Sequence, residues 1–330
     1  MRRVIKTSAT IIKDNLNSPV ALFFVLLFPV ILALVFAEGF GSLMSSATIT
    51  VYVSGVNASY IAGYLNTTHL FVGIVGGSPG VVERGDVFVN STPSGITVYY
   101  PPYASRYVNL LQYSIESALI KPAVSVSAVK LPSPYSYQAY VLSGTIGAMV
   151  MSNGIFGVTG VAATYYRDKV IEKLASSPLR DYEWALSLIV YEVVISFASA
   201  VAVGVAGLLI GVSLAASLAV AGAIVIGTFL FAGLGAIIYG LTPKDRVFLA
   251  NTVATVITFP LMFASNAFYP SSVFPMPFRL FVEYQPLSLY DDVLRGIVLG
   301  TGVSQEIVIA FTVAGLVILG VGIRMLRLRE

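Results

Sequence analysis

Six stretches of this chain are apolar over the length of a bilayer crossing, and no other feature limits the possible folds as sharply. They are residues 19–37, 138–163, 186–212, 214–240, 247–268 and 305–324. A helix needs about 20 such residues to cross the hydrocarbon core. It also satisfies its own backbone bonds, which lipid cannot do for it. Charge is correspondingly scarce: 11% of residues are charged and 57% hydrophobic, against about 25% charged in a soluble domain. The expected fold is an α-helical polytopic membrane protein with six transmembrane helices.

Residues 1–18 carry Arg2, Arg3, Lys6 and Lys13 on one half of a helical wheel and Val4, Ile5, Ile11, Ile12 and Leu16 on the other, the pattern of a helix in the interface of an anionic leaflet. A basic flank before an apolar run also fits a cleaved signal peptide, but the spanning length, Pro19, Pro29 and the amphipathic lead-in favour a first transmembrane helix at 19–37. Residues 38–137 are polar, with β-branched or alternating stretches at 48–54, 70–75, 86–90, 96–100 and 124–130 and a helical pattern at 105–120. They read as a small α+β extracytoplasmic domain inserted between helices 1 and 2. Its three Asn-X-Ser/Thr sequons, at Asn57, Asn66 and Asn90, are possible glycosylation sites if the domain lies outside.

Residues 164–185 join the second and third runs and hold the densest cluster of charge. Over 167–177, Val170, Ile171, Leu174 and Ala175 recur at helical spacing opposite Arg167, Asp168, Lys169, Glu172 and Lys173, and Pro178 ends the pattern. Such a helix either docks its apolar stripe on a partner or lies on lipid. The spans that follow occupy 186–268. Residues 269–304 are broken by Pro270, Pro275, Pro277 and Pro286 and are too short and polar to span. They suit an outer re-entrant segment, shielded by Phe274, Phe278 and Phe281, with Asp291 and Arg295 spaced to pair; an ordinary surface loop is the alternative. Residues 305–330 form the sixth helix and a cytosolic tail.

Few polar groups lie within the runs. Glu192, one turn inside the third, is a functional candidate as an intramembrane carboxylate, although snorkelling or a contact with a neighbouring helix explains it more simply. Asn153 in the second run and Asn251, Thr252, Thr255 and Thr258 in the fifth either line a path or bond between helices. The second and fourth runs are rich in glycine, which permits close helix packing. Thirteen of the nineteen Lys and Arg fall in residues 1–18, 164–185, Lys244, Arg246, Arg324, Arg327 and Arg329, which predicts cytosolic termini and a multi-pass protein of the plasma membrane. The absence of cysteine excludes disulfides and thiolate metal sites, and the single histidine, His69, excludes a multi-histidine metal centre. No phosphate-binding GxxxxGK[ST] loop is present, so ATP is not bound by that device, and no catalytic constellation appears.

Four patches together resemble the ABC-2 type permease family, the membrane subunits of one class of ABC exporter. They are the amphipathic start leading into Asn17-Ser18-Pro19 and residues 26–34, the polar domain after the first run, the Arg167-Asp168-Lys169…Glu172…Leu174…Pro178 stretch, and Gln285-Pro286-Leu287-Ser288…Arg295. Val170 and Ile171 stand where the family usually has Gly-Thr, and Gln285 replaces the usual Asn. The resemblance implies a branch with a larger extracellular loop between spans one and two. It further implies a permease dimer, homo- or heteromeric, over ATP-binding cassette subunits that carry the ATP and Mg, so that this chain holds no cofactor and is not itself an enzyme. Arg167, Asp168, Glu172, Leu174 and Pro178 would belong to the ATPase-coupling helix. Phe278, Pro286, Asp291 and Arg295 would belong to the outer segment, and Asn153, Asn251 and Thr255 would be pathway candidates. An apolar or amphiphilic cargo suits spans so poor in charge. A membrane-anchored binding or scaffold protein and a self-contained secondary carrier are the alternative readings, and neither requires a charged helix after the second run that seats an ATPase.

Overall fold

The computed structural model of the chain describes residues 2–39, 49–68, 70–84, 86–100, 105–119, 126–130, 137–243 and 246–326. Thr48, Ile120 and residues 124–125, into which the strand and helix patterns extended, lie outside these, as do His69, Lys244, Arg327 and Arg329. The helices are α1 (Arg2–Leu16), α2 (Pro19–Ala37), α3 (Ala58–Thr67), α4 (Ser105–Leu119), α5 (Tyr137–Arg167), α6 (Val170–Ala175), α7 (Asp181–Leu209), α8 (Leu218–Leu241), α9 (Phe248–Phe263), α10 (Phe278–Tyr284), α11 (Pro286–Val298) and α12 (Gln305–Met325). The strands are β1 (Ile49–Gly55), β2 (Phe71–Val75), β3 (Val87–Thr92), β4 (Gly95–Tyr100) and β5 (Val126–Lys130). The chain divides into two compact units: Met1–Leu34 with Val141–Phe268 and Gln285–Glu330, and Val35–Tyr140 with Tyr269–Tyr284.

In the first unit, α2, α5, α7, α8 and α12 are long and apolar enough to cross a membrane. The fifth apolar run behaves differently. Its helix, α9, contains Pro260 and ends at Phe263 after 16 residues, instead of continuing to 268. The following turn buries Ser265, Asn266, Ala267 and Phe268. A helix can stop inside an apolar run only if its last carbonyls find other partners. Here Gln285 Nε2 donates to the Leu261 and Ala264 carbonyls at 2.9 and 2.7 Å, and Arg295 Nη2 donates to the Asn266 carbonyl at 3.1 Å. The third and fourth runs also shift. α7 starts at Asp181 and ends before Gly211, whose φ of +78° turns the chain, and α8 starts only at Leu218, with Ser217 Oγ accepting from the Val220 N–H.

Two of the transmembrane candidates are not pure α-helix. α2 contains a π-turn at Phe23–Leu27 and runs at its end into another at Val35–Gly39, and α5 contains one at Asn153–Gly157. Helices α8 and α12 pack backbone to backbone. A Cβ added at Gly233 would lie 2.8 Å from the Leu319 nitrogen, and one at Gly322 would lie 2.7 Å from the Gly233 oxygen. Small residues at a crossing permit this approach, which supplies dispersion contacts where lipid offers no hydrophobic drive.

In the second unit the sheet order is β2-β1-β3-β4-β5. β1 is parallel to β2 and β3, β4 is parallel to β5, and β3 and β4 are antiparallel. Val51, Val53, Ile96 and Val98 alternate with half-buried neighbours and pack in one core with Val89, so one face of the sheet is apolar. Ile61 and Leu65 of α3 and Leu111 and Ile115 of α4 pack on that face. The sequence reading missed α3, whose Ala58, Ile61, Ala62 and Leu65 carry the helical spacing among polar residues. Residues 269–284 belong to this unit. Tyr140 Oη donates to the Tyr269 carbonyl at 3.5 Å, and Tyr269 stacks edge-on with Phe36 at 5.7 Å. The expected single outer segment at 269–304 is therefore two elements, divided between Tyr284 and Gln285.

Candidate functional site

The charged stretch at 165–184 is built differently from the single helix its pattern predicts. Arg167 is the last residue of α5, and the chain then turns through Asp168 and Lys169 before the short α6. Lys169 holds a left-handed conformation, with φ of 56°. The apolar stripe points inward: Ile171 is buried in the first unit's core, with Val170 and Leu174 packed against it. This corrects the expectation that the stripe is offered to a partner. What remains exposed is the polar side, made of Arg167, Asp168, Lys169, Glu172, Lys173 and Pro178. Arg167 Nε donates to Asp168 Oδ1 at 2.9 Å, and this bond holds the Asp168 carboxyl below the usual carboxylate range. As a fully exposed pair it contributes little to stability.

Both ends of the loop are fastened together, by residues to which the sequence reading gave no role. The Tyr165 and Trp184 rings stack with centroids 5.5 Å apart and planes 28° from parallel, and Trp184 is wholly buried. Helix α1 lies against this closure. Tyr165 Oη donates to Asp14 Oδ2 at 2.9 Å, Arg3 Nη1 donates to the Pro178 carbonyl at 2.6 Å, and Ser8 Oγ donates to the Ser187 carbonyl at 2.9 Å. Glu183 completes the start of α7: its Oε2 accepts from the Arg180 N–H at 3.0 Å and lies 3.8 Å from Arg3 Nη1. An aromatic residue at each end of a charged loop was the available signal for this closure.

Within the helices, Glu192 does not snorkel. It is fully buried in α7, with its carboxyl against Gly157 in the π-turn of α5, where any side chain would collide with it. Neither carboxyl oxygen of Glu192 nor the Ser196 hydroxyl has a hydrogen-bond partner among the described residues. Asn153, in the same π-turn, donates through Nδ2 to Ser199 Oγ at 3.0 Å, and Ser199 Oγ donates to the Val25 carbonyl at 2.8 Å. Asn153 thus ties α5 and α7, and through Ser199 α2, together. Asn251, Thr252 and Thr255 lie exposed along α9, with Thr255 Oγ1 bonded to the Asn251 carbonyl at 2.7 Å, while Thr258 is buried.

The Gln285-Pro286-Leu287-Ser288…Arg295 patch has a clear structural task. Pro286 opens α11, and Gln285, Ser288 and Arg295 share the face that caps the end of α9; Ser288 Oγ accepts from the Asn266 N–H at 3.1 Å. Arg295 pairs with Asp292 at 3.3 Å and not with Asp291. Asp291 lies on the other side of α11, buried, with its carboxyl against Gly147 of α5. Phe278 belongs to α10; its ring meets Phe274 edge-on and stacks on Phe281, with centroids 5.7 Å apart in each pair. Of the sequons, Asn57 is exposed at a left-handed turn (φ 59°) and Asn90 is half-buried within β3. The Asn66 amide is committed to Gly73, accepting from its N–H at 2.9 Å and donating to its carbonyl at 3.1 Å.

Among the described residues no cluster of acidic or histidine side chains could hold a metal ion. No curated protein matches the chain. The sequence pattern of one family, described as ABC-2 type transporter, matches residues 104–299, a region that runs from α4 through α11 and contains both the charged loop and the capping patch. With that match over more than half its length, and with five helices fit to cross a bilayer, the chain belongs to the ABC-2 type transporter family and is a multi-pass membrane permease of that kind.

Proposed function

We propose that this chain is the membrane subunit of an ATP-driven exporter, a six-span permease that works as a dimer over ATP-binding cassette subunits and moves an apolar or amphiphilic cargo outward. In this reading α9 with its capped turn serves as the fifth of six spans. Both termini and the 165–184 loop are cytosolic, residues 38–137 are external, and ATP and Mg reside on the partner. The bias of Lys and Arg toward the termini and the loops next to α5 and α7 supports the orientation. The observation that carries the reading is the fastened loop. Tyr165 on Trp184, with α1 across them, gives a rigid base to an exposed polar edge of Asp168, Lys169, Glu172 and Lys173. A rigid edge of mixed charge can receive a push from a partner and pass it to α5 and α7, whereas a loose loop would absorb it.

The chain has no cysteine, which makes the test direct. Single-cysteine variants Glu172→Cys and Lys173→Cys should crosslink to a co-expressed ATP-binding subunit, while Leu174→Cys, half-buried on the inward side, should not. In intact cells an impermeant maleimide should label Thr92→Cys and leave Lys173→Cys unlabelled until the membrane is opened. Crosslinking through Leu174 but not Lys173, or labelling of Lys173→Cys from outside, would refute the docking edge and the orientation respectively.

A further inference from the structure

Helix α1 presents three separate faces, and two are explained by the protein's own packing. Ser8 and Ile11 are buried against the rest of the first unit. Arg3 is engaged by Pro178 and Glu183, and Asp14 by Tyr165. Arg2, Lys6 and Lys13 are exposed and make no ion pair among the described residues. At roughly 100° per residue these three fall within about 40° of arc, on the side of the helix away from Ile11. Next to that row, Ile5 is 65% exposed and Leu16 is 43% exposed. Two bare aliphatic side chains beside an unpaired basic row suit a surface that is apolar below and anionic at its rim. Asn17 and Ser18 alone separate α1 from the apolar helix α2, and Ser18 Oγ caps that helix by accepting from the Ala21 N–H at 3.4 Å. With α2 in a bilayer, this short join would set α1 at headgroup depth.

We propose that α1 is a binding surface for anionic phospholipid, with Arg2, Lys6 and Lys13 taking headgroup phosphates and Ile5 and Leu16 entering the acyl boundary, and that its occupancy holds the 165–184 loop in place. The chemistry is charge-assisted bonding to phosphate oxygens together with burial of two aliphatic side chains. The transmission is short and runs through hydrogen bonds. The same helix that carries the basic row carries Arg3, Ser8 and Asp14, whose bonds end on Pro178, Ser187 and Tyr165. Tyr165 stacks on Trp184, the only tryptophan in the chain, so the chain contains its own reporter of whether α1 is seated. The proposal rests on the membrane character of the protein and not on ATPase docking, so its test contains no ATPase.

The full chain is reconstituted in phosphatidylcholine nanodiscs with and without phosphatidylglycerol. Retained lipids are counted by mass spectrometry after partial delipidation, and Trp184 emission is followed in parallel. Phosphatidylglycerol should be retained over phosphatidylcholine and should alter the Trp184 emission, and high salt should abolish both effects. The triple variant Arg2→Gln/Lys6→Gln/Lys13→Gln should lose about a hundredfold of the preference, from roughly a fivefold effect per basic residue. Lys173→Gln, which removes one basic residue elsewhere, should keep it. Arg3→Gln and Asp14→Asn together should keep lipid retention while flattening the Trp184 response, which separates binding from transmission. Equal retention by the triple variant and the parent overturns the lipid site. An emission change reproduced by soluble glycerol phosphate in phosphatidylcholine discs overturns the assignment to lipid, and a lipid-dependent emission that survives Arg3→Gln/Asp14→Asn overturns the link to the loop.

Discussion

The backbone contact between α8 and α12 gives a prediction in which one energy term cancels. Gly233 and Gly322 face each other across the crossing. A Cβ on Gly233 would stand 2.8 Å from the Leu319 nitrogen and 2.9 Å from the Ile318 carbonyl carbon, and one on Gly322 would stand 2.7 Å from the Gly233 oxygen and 2.9 Å from the Ala236 Cβ. These neighbours are backbone or short side chain, so the helices themselves must separate. Gly320, on the same helix as Gly322, has nothing within 4 Å of its would-be Cβ. Alanine in place of a mid-helix glycine gains about 1 kcal/mol in helix propensity at either kind of site, whereas overpacking a close contact costs about 1–3 kcal/mol. The difference between Gly233→Ala and Gly320→Ala removes the propensity gain and leaves the packing cost alone, about 1–3 kcal/mol. Thermal loss of the monodisperse peak of the detergent-purified protein measures it: Gly320→Ala should match or exceed the parent midpoint, and Gly233→Ala and Gly322→Ala should fall below it. The double variant should cost less than the sum, because the first methyl already opens the gap the second needs. Midpoints for Gly233→Ala and Gly322→Ala at or above that of Gly320→Ala would refute the backbone contact.

Three further outcomes follow from other parts of the fold. Lys169→Gly should raise the thermal midpoint, because a left-handed lysine costs about 1–2 kcal/mol that glycine does not, while Lys169→Val should lower it, with binding of the proposed ATP-binding subunit read separately by crosslinking. Gln285→Ala leaves the half-buried Leu261 and Ala264 carbonyls without their side-chain donor and should destabilise the protein by about 1 kcal/mol, seen as earlier thermal unfolding and faster proteolysis after Phe263. Expressed in a host that glycosylates, the protein should carry glycan at Asn57 and not at Asn66. Asn66→Ala should loosen the join of α3 to β2, visible as faster amide exchange at Gly73, and a glycan found at Asn66 in the folded protein would contradict the clasp.

The parts of the fold legible in the sequence are those where a side-chain period meets a single environment. The apolar runs behind α2, α5, α7, α8 and α12 announced themselves by length. The strands β1 to β4 begin or end within two residues of the alternating stretches, because Val51, Val53, Val89 and Val98 report which face is covered. Burial without identity was the harder case. Val170, Ile171 and Leu174 have the spacing of a buried stripe, but spacing does not say whether the cover is another protein or the chain's own core, and it is the core. Asp291 and Arg295 sit at the favoured i,i+4 distance, yet Asp292 at i+3 wins, because Asp291 is turned into α5 while Asp292 shares a side with Arg295. The end of α9 was hidden because the groups that permit it, Gln285, Ser288 and Arg295, come more than twenty residues later. The closure of Tyr165 on Trp184 was invisible to periodicity, since the two residues lie on different helices.

The π-turn at Asn153–Gly157 changes how α5 should be numbered around its axis. One turn there holds an extra residue, so the two halves of the helix are out of phase by about 100°. A wheel drawn straight through residues 137–167 assigns the wrong side to every position beyond the turn, and a cysteine-accessibility scan along α5 should return two stripes that do not line up. Removing one residue from the turn would bring the stripes into line and swing the far end, with the charged loop attached, through the same angle about the helix. A single-residue deletion in the middle of a span ordinarily reads as damage. In α5 it acts as a rotation of one end of the helix against the other.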